Sequence, residues 1–148
     1  MLKKINQDEI QGYLEDSSGL TGGRAEAVYI PEDTHEAAGI IVMASQKKEP
    51  ITVSGGGTGV TGGRIPFGGS ILSLEKFNKL EVIGSKKQEA GKIVVGAGVL
   101  VADIHRIAEE NGMFYPPDAT EYNASIGGNI ATNASGARSF KYGATRRY

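Results

Sequence analysis

Apolar residues at helical spacing mark two helices in the first fifty positions. Residues 7–16 begin with the capping pattern of Asn6 and Glu9 and carry the apolar pair Ile10 and Leu14. The second helix follows Pro31, ends at two lysines, and has apolar residues at i, i+3, i+4 and i+7, namely Ala37, Ile40, Ile41 and Ala44. Short apolar runs at 25–30 and 51–53 predict a strand on either side of this second helix.

The pattern changes to short strand-like runs further along the chain. Residues 70–74, 79–83 and 92–95 each predict a strand, separated by polar or glycine-containing turns, and together they predict a mixed sheet. A helix then opens at residues 96–98 and closes at Gly112, with one apolar face formed by Leu100, Ile104, Ile107 and Ala108. The small residues and amides of 113–148 predict a loop. A strand–helix–strand start followed by a meander indicates the α+β class.

Composition narrows the class of protein without identifying it. A chain of 148 residues with 39% hydrophobic content is expected to form one soluble domain. The net charge of -1 gives no reason to expect nucleic acid as a partner, and the absence of cysteine excludes a disulfide scaffold, a thiolate metal site and a cysteine nucleophile. The first ten residues lack the apolar stretch of a signal peptide and no run has the length of a membrane span, so we expect a cytoplasmic protein without such a span.

Two minor features carry weaker expectations. The two histidines, His35 and His105, stand 70 positions apart without metal-ligand spacing, so no metal site is expected. Positive charge collects at the end of the chain without a neighbouring acid in sequence, at Arg138, Lys141, Arg146 and Arg147. This basic end is typical of a surface that meets an anionic cofactor or a partner chain.

The most informative segment of the first half is a run of glycines directly after the strand at 51–53. Gly57, Gly59 and Gly62 spell G-x-G-x-x-G, but residues 63–69 contain Pro66 and three further glycines and cannot start the helix that a dinucleotide fingerprint needs. A P-loop also fails, because no Gly-Lys-Ser/Thr follows. A non-helical loop of this composition is suited to bind diphosphate through successive backbone N–H groups. A tight turn or surface loop without a ligand is the alternative.

A second segment combines small residues with hydrogen-bonding side chains. It comprises residues 116–118, Pro-Pro-Asp, and residues 125–136, Ser-Ile-Gly-Gly-Asn-Ile-Ala-Thr-Asn-Ala-Ser-Gly. Such a segment is suited to press its backbone against a planar ligand and to offer amides and hydroxyls to the edge of a heterocycle. Composition alone leaves a long, unliganded surface loop equally open.

With both segments in view, the sequence resembles the FAD-binding domain of the vanillyl-alcohol oxidase / p-cresol methylhydroxylase superfamily. The resemblance lies in the branch of the D-lactate dehydrogenases and the FAD subunit of glycolate oxidase, and it extends from about residue 25 to residue 148. It is carried by residues 50–63, 116–118, 125–136 and 141–146, which stand in the order found in that family.

The resemblance implies an FAD site in which the glycine run holds the pyrophosphate and the second segment lines the ribityl chain and flavin. The implied cofactor-binding residues are Ser54, Gly55, Gly56, Gly57, Thr58, Gly59, Thr61, Gly62, Pro117, Asp118, Ser125, Gly127, Gly128, Asn129, Ala131, Thr132, Asn133 and Gly136. Two departures matter. Gly57 stands where some branches carry a histidine that attaches FAD covalently, which implies non-covalent FAD, and Ser54 stands where relatives often carry arginine, which implies that one basic contact is missing.

The resemblance further implies hydride transfer from a small 2-hydroxy acid to the flavin, and an incomplete copy of the fold. Residues 1–148 would be the N-terminal portion of an FAD-binding domain, with 1–24 as a leading helix and loop and 25–148 as the FAD-binding core. The cap domain that binds substrate and carries the catalytic groups would be absent, so no catalytic residue is expected here. Two alternatives are a non-enzymatic or vestigial flavin-binding module and a phosphate-binding domain without flavin.

Overall fold

The computed structural model describes residues 1–84, 91–118 and 120–148. The chain divides into two compact units, Met1–Phe77 and Asn78–Tyr148, and each is described by itself.

The first unit is built on a four-stranded sheet. Its elements in chain order are β1 (Leu2–Lys4), α1 (Gln7–Ile10) continued by a 3₁₀ turn (Gln11–Tyr13), β2 (Ala27–Ile30), α2 (Thr34–Lys47), β3 (Ile51–Ser54) and β4 (Ser70–Ser73). The strand order is β1-β2-β4-β3, with β1 antiparallel to β2 and the other neighbours parallel. The sheet is therefore mixed, and β3 and its following loop lie at one edge.

Strands β2 and β4 are buried on both faces, as expected for the parallel centre of a sheet. Their side chains alternate between two apolar clusters. One cluster packs against α1 and contains Ile10, Leu14, Ala25, Val28, Ile30 and Ile71. The other packs against α2 and contains Ala27, Tyr29, Ile40 and Leu72. Strand β3, which precedes the glycine run, pairs in parallel with the buried strand β4.

Helix α2 forms where the apolar spacing predicts it, and Ile40 and Ala44 are buried, whereas Ile41 of the predicted apolar face is 52% exposed. Asp33 caps its N-terminus by accepting a 2.8 Å hydrogen bond from the Glu36 amide, and Lys48 ends it in the left-handed conformation with φ of 55°. The helix predicted over 7–16 is shorter than expected, because the chain tightens to a 3₁₀ turn after Ile10. Strand β1 was not predicted, since it is a short and largely exposed edge strand without an apolar signal.

The second unit contains a two-stranded antiparallel sheet and three helices within its described residues. Its elements are β5 (Leu80–Ile83), β6 (Lys92–Val95), α3 (Val101–Glu110), α4 (Ile126–Thr132), α5 (Ser139–Tyr142) and a 3₁₀ turn (Thr145–Arg147). Its core is formed by Val99, Ile104 and Ile126, against which Leu80, Ile93, Val95 and Tyr115 pack.

Four expectations for this half of the chain need correction or comment. Of the three predicted strands after residue 69, only β4 joins the mixed sheet, whereas β5 and β6 pair with each other. The loop predicted for 113–148 is wrong, because this stretch contains α4, α5 and a 3₁₀ turn. The predicted turn between β5 and β6 falls mostly on residues 85–90, outside the described part of the chain. Helix α3 begins at Val101 and not at residues 96–98, so its predicted start is wrong, but Gly112 follows its end in the predicted left-handed conformation, with φ of 67°.

Candidate functional site

The glycine run occupies the connection between the parallel neighbours β3 and β4. Residues 55–66 are all described and contain neither helix nor strand, in agreement with the rejection of a helix-based dinucleotide fingerprint. Ser54, the last residue of β3, is 1% exposed, and its carbonyl accepts a 3.1 Å hydrogen bond from the Leu74 amide. The loop thus starts from a fixed point at the carboxyl end of a parallel strand, where ligands bind in open α/β sheets.

Two positions in the loop require glycine because of their backbone conformation. Gly57 has φ of 76° and Gly62 has φ of 73°, a region that L side chains rarely adopt. A Cβ on Gly57 would stand 1.8 Å from Nη1 of Arg64, and a Cβ on Gly62 would stand 2.4 Å from Cδ1 of Leu20. The predicted loop residues that remain, Gly55, Gly56, Thr58, Gly59 and Thr61, lie at exposed or half-buried positions along the same connection.

Arg64 is a feature of this loop that the sequence did not reveal. Its Nη1 donates to the Gly55 carbonyl at 3.3 Å, its Nη2 donates to the Gly12 carbonyl, and its Cζ stands 5.8 Å from the ring centroid of Tyr13. Its Nε is buried and has no hydrogen-bond partner among the described residues. Burial lowers the pKa of the Arg64 guanidinium, and the nearby carboxylate of Asp16 acts in the opposite direction.

Asp16 is the acidic counterpart near the loop. Its Oδ1 accepts a 2.9 Å hydrogen bond from the Ser18 amide, while its Oδ2 is buried and has no partner in the described part of the chain. That Oδ2 would stand 3.9 Å from a Cβ placed on Gly59. Within the described ranges, no carboxylate oxygen lies within 4.0 Å of the Arg64 guanidinium nitrogens.

The second predicted segment, in the other unit, forms helix α4 instead of an extended platform. Ser125 caps the helix by accepting from the Gly128 amide at 3.4 Å. The amides of Ile126 and Gly127 donate to the carbonyls of Val99 and Ala97, both at 2.9 Å. A Cβ on Gly127 would stand 2.8 Å from the Ala97 carbonyl oxygen, so this glycine permits close packing of α4 against residues 97–99.

The other predicted residues of α4 and its C-terminal side have local roles. Asn129 is buried within the helix, and Ala131 and Thr132 are exposed on it. Asn133 ends the helix at φ of 49°, and its Oδ1 accepts a 3.0 Å hydrogen bond from the Arg146 amide. Gly136 donates its amide to Ser139 Oγ at 2.8 Å. This region is held together by its own hydrogen bonds.

Pro117 and Asp118 precede this helix. Pro117 is buried, and Asp118 Oδ1 accepts a 3.1 Å hydrogen bond from the Thr120 amide. Asp118 Oδ2 stands 3.5 Å from Nε of Arg138. Part of the charge at the basic end therefore has a carboxylate partner, which the sequence did not show. Arg146 and Arg147 are exposed, and a partner chain at this end stays a prediction.

An apolar cleft of about 980 Å³ lies within the second unit. Its walls come from β6, α3, residues 112–116, α4 and the end of the chain, and include Ile93, Val95, Ile104, Tyr115, Ile126 and Tyr148. Burial raises the pKa of Tyr115, whose ring meets that of His105 edge-on at 5.4 Å between centroids. The residues predicted for FAD binding do not line this cleft over the described part of the chain.

Two further searches cover the described residues only. Among them, no group of three or more His, Cys, Asp or Glu side chains is placed to hold a metal ion. Within the same ranges, no helix combines the length and apolar character needed to cross a membrane.

Residues 25–148 match the model of a family described as FAD binding domain. The chain is 38% identical over 147 residues to a D-lactate dehydrogenase of Anaerostipes hadrus, covering 98% of this chain and 30% of that protein. It is 36% identical over 138 residues to the glycolate oxidase subunit GlcD of Bacillus subtilis, covering 92% of this chain and 29% of that protein. The chain thus spans about 30% of the length of these curated relatives.

The fold also has counterparts among solved structures. The structure of 6-hydroxy-D-nicotine oxidase from Arthrobacter nicotinovorans superposes with a TM-score of 0.79 at 19% identity. The superposition covers 97% of this chain and 31% of that one. At this identity the likeness concerns the fold alone.

Proposed function

We propose, from the premise that this chain belongs to the FAD binding domain family, that it forms the diphosphate-binding part of an oxidoreductase that oxidises a 2-hydroxy acid. The resemblance to FAD-linked D-lactate dehydrogenases and glycolate oxidase is confirmed by the relatives, and the α+β fold of the p-cresol methylhydroxylase type is confirmed by the solved structures. FAD is the cofactor of this family. The reaction, the substrate class and the residues that bind FAD are our proposals.

The observation that carries the proposal is the loop after β3. A run of glycines leaves a buried strand end, takes up left-handed backbone at Gly57 and Gly62, and contains no helix. Such backbone brings N–H groups close to an oxyanion without side chains in the way. A guanidinium with an orphaned Nε stands against the same loop, which supports a fit to the diphosphate of FAD.

The residues of the second unit contribute to the proposal less directly. Gly127 and Asn133 are explained by packing and helix termination, and Asp118 is engaged by Thr120 and Arg138. Ala131 and Thr132 are exposed on α4 and are available to contact a ligand. For the predicted FAD-binding residues of the second unit, the support for contact with FAD is the family resemblance.

When bound, FAD supplies a flavin that accepts a hydride from the α-carbon of the substrate. In our proposal the residues of this chain bind and orient the cofactor and perform no proton transfer. We assign no catalytic residue, because Asp118 is held by two partners and His105 packs against Tyr115 and Tyr122. Substrate binding and removal of the hydroxyl proton are assigned to residues outside this chain.

The test is to titrate the 148-residue chain with FAD, to record the visible spectrum after gel filtration, and then to add D-lactate or glycolate without oxygen. We expect bound flavin and no bleaching of its absorbance, because alignment of a hydride donor contributes roughly 7–11 kcal/mol to such reactions. Failure to bind FAD would refute the proposal. Rapid bleaching would show that the chain holds a complete active site, contrary to our assignment.

A further inference from the structure

Arg64 holds one peptide group of the glycine loop in a defined orientation. Its Nη1 donates to the carbonyl of Gly55 at 3.3 Å, and the same guanidinium is anchored on the Gly12 carbonyl and faces Tyr13. The peptide bonds of the described residues are trans, so the carbonyl of Gly55 and the following N–H of Gly56 point in opposite directions. Arg64 therefore turns the Gly55 carbonyl oxygen toward itself.

Arg64 forms no close ion pair with the described residues. The guanidinium is half-buried, its Nε has no hydrogen-bond partner, and no carboxylate oxygen of the described residues lies within 4.0 Å of its nitrogens. Because Nε is buried and both Nη atoms donate to backbone carbonyls, an anion beside the loop would interact with this guanidinium through its charge. The carboxylates of Asp16, Glu15 and Glu75 act on its charge from more than 4.0 Å away.

Gly57 allows the guanidinium to occupy its position. The Cβ of any larger residue there would stand 1.8 Å from Nη1 and 2.7 Å from Cζ, so the arginine fills the space that a side chain would take. On the other part of the loop, the buried Oδ2 of Asp16 lies near Gly59 and brings a negative charge to the same connection. The loop is thus flanked by one cation and one anion that do not form an ion pair.

We propose that Arg64 is a positioning residue for a diphosphate ligand. It keeps the Gly55 carbonyl oxygen away from the anion and supplies positive charge to it, while Asp16 opposes the anion. This inference rests on the proposed function and deepens it, since the ligand class is the diphosphate of a dinucleotide such as FAD. It also assigns a basic group to a loop that was expected to lack one because of Ser54.

The test compares ligands with and without diphosphate on the full 148-residue chain. Dissociation constants of FAD, ADP and riboflavin are measured by calorimetry for Arg64→Gln, Arg64→Lys and Asp16→Asn. The control is Arg24→Gln, which removes the same charge from an exposed position of the same unit. Each dissociation constant is measured at low and at high ionic strength. Salt screens an electrostatic contribution of Arg64 to binding but not a packing contribution.

We expect Arg64→Gln to weaken the binding of FAD and ADP by about tenfold and to leave riboflavin binding unchanged, because the variant lacks the positive charge beside the loop and loosens the Gly55 carbonyl. The salt dependence of ADP binding should also be weaker in Arg64→Gln than in the unmodified chain. Arg64→Lys should lose less, Asp16→Asn should bind ADP more tightly, and Arg24→Gln should match the unmodified chain.

Other outcomes overturn the inference. An unchanged ADP affinity in Arg64→Gln, or an equal loss for riboflavin and ADP, would show that Arg64 merely supports the fold. If Arg64→Gln does not fold, the other two variants decide. Unchanged ADP affinity in both Arg64→Lys and Asp16→Asn would then show that Arg64 merely supports the fold. If the unmodified chain binds neither FAD nor ADP, the proposed function fails together with the inference. If the unmodified chain binds FAD and ADP and the variants bind them equally well, the inference about Arg64 fails but the proposed function stands.

Discussion

Replacement of Gly57 by alanine is the sharpest test of the loop. The substitution places a Cβ at a backbone φ of 76° and 1.8 Å from Nη1 of Arg64. The left-handed conformation costs an L residue about 1–2 kcal/mol. The guanidinium must also move, which weakens its hydrogen bond to the Gly55 carbonyl, a contact worth about 1 kcal/mol at 3.3 Å.

The two terms together lower the free energy of unfolding by about 2–3 kcal/mol. A domain of this size has roughly 5–15 kcal/mol of stability, so the variant is expected to fold. Its affinity for FAD should fall by about tenfold or more, because the loop backbone and the cation beside it are displaced together.

A matched control separates backbone strain from the loss of the site. Gly22 has φ of 86°, and a Cβ built there meets nothing within 4 Å. Gly22→Ala should therefore cost about the same 1–2 kcal/mol of strain and leave FAD binding unchanged. Stability is measured by urea denaturation and affinity by quenching of FAD fluorescence. A folded Gly57→Ala protein with unaltered FAD affinity would refute the assignment of the loop.

Two further predictions concern the second unit and the cofactor linkage. Gly127→Ala should destabilise the chain by about 1–3 kcal/mol, because its Cβ would stand 2.8 Å from backbone and side-chain atoms of Ala97. Gly128→Ala, whose Cβ would be 3.2 Å from Ser125 Oγ and which gains helix propensity, should be close to neutral in the same thermal melt. FAD should be released by acid, since Gly57 offers no side chain for attachment, and mass spectrometry of the denatured protein should show the mass of the unmodified chain. An added mass equal to FAD would contradict this.

Helix α2 shows where local sequence suffices. Its apolar spacing, its aspartate cap and its lysine end all indicate the same element, and the structure has it over Thr34–Lys47. Strands β2, β3 and β4 were likewise visible as short apolar runs. Their order was not, because the insertion of β4 between β2 and β3 depends on pairing between distant residues, which no local pattern contains.

Helix α4 shows where local sequence misleads. The small residues and amides of this segment predict a loop, and Gly127 and Gly128 each disfavour a helix by roughly 1 kcal/mol relative to alanine. The structure stabilises it through the Ser125 cap and through hydrogen bonds to residues 97 and 99. These contacts join positions about thirty residues apart and could not be read from the segment itself.

The glycines of the two segments therefore have different physical causes. Gly57 and Gly62 are required by positive φ, and the group that fills the space over Gly57 is a cation. Gly127 is in a helix, and the group over it is the backbone of Ala97. Composition does not distinguish these glycines. The atoms that an added Cβ would meet do distinguish them, since they belong to the Arg64 guanidinium at Gly57 and to Ala97, a packing contact, at Gly127. In our proposal the loop after β3 therefore binds the diphosphate, and the Arg64 variants test this assignment.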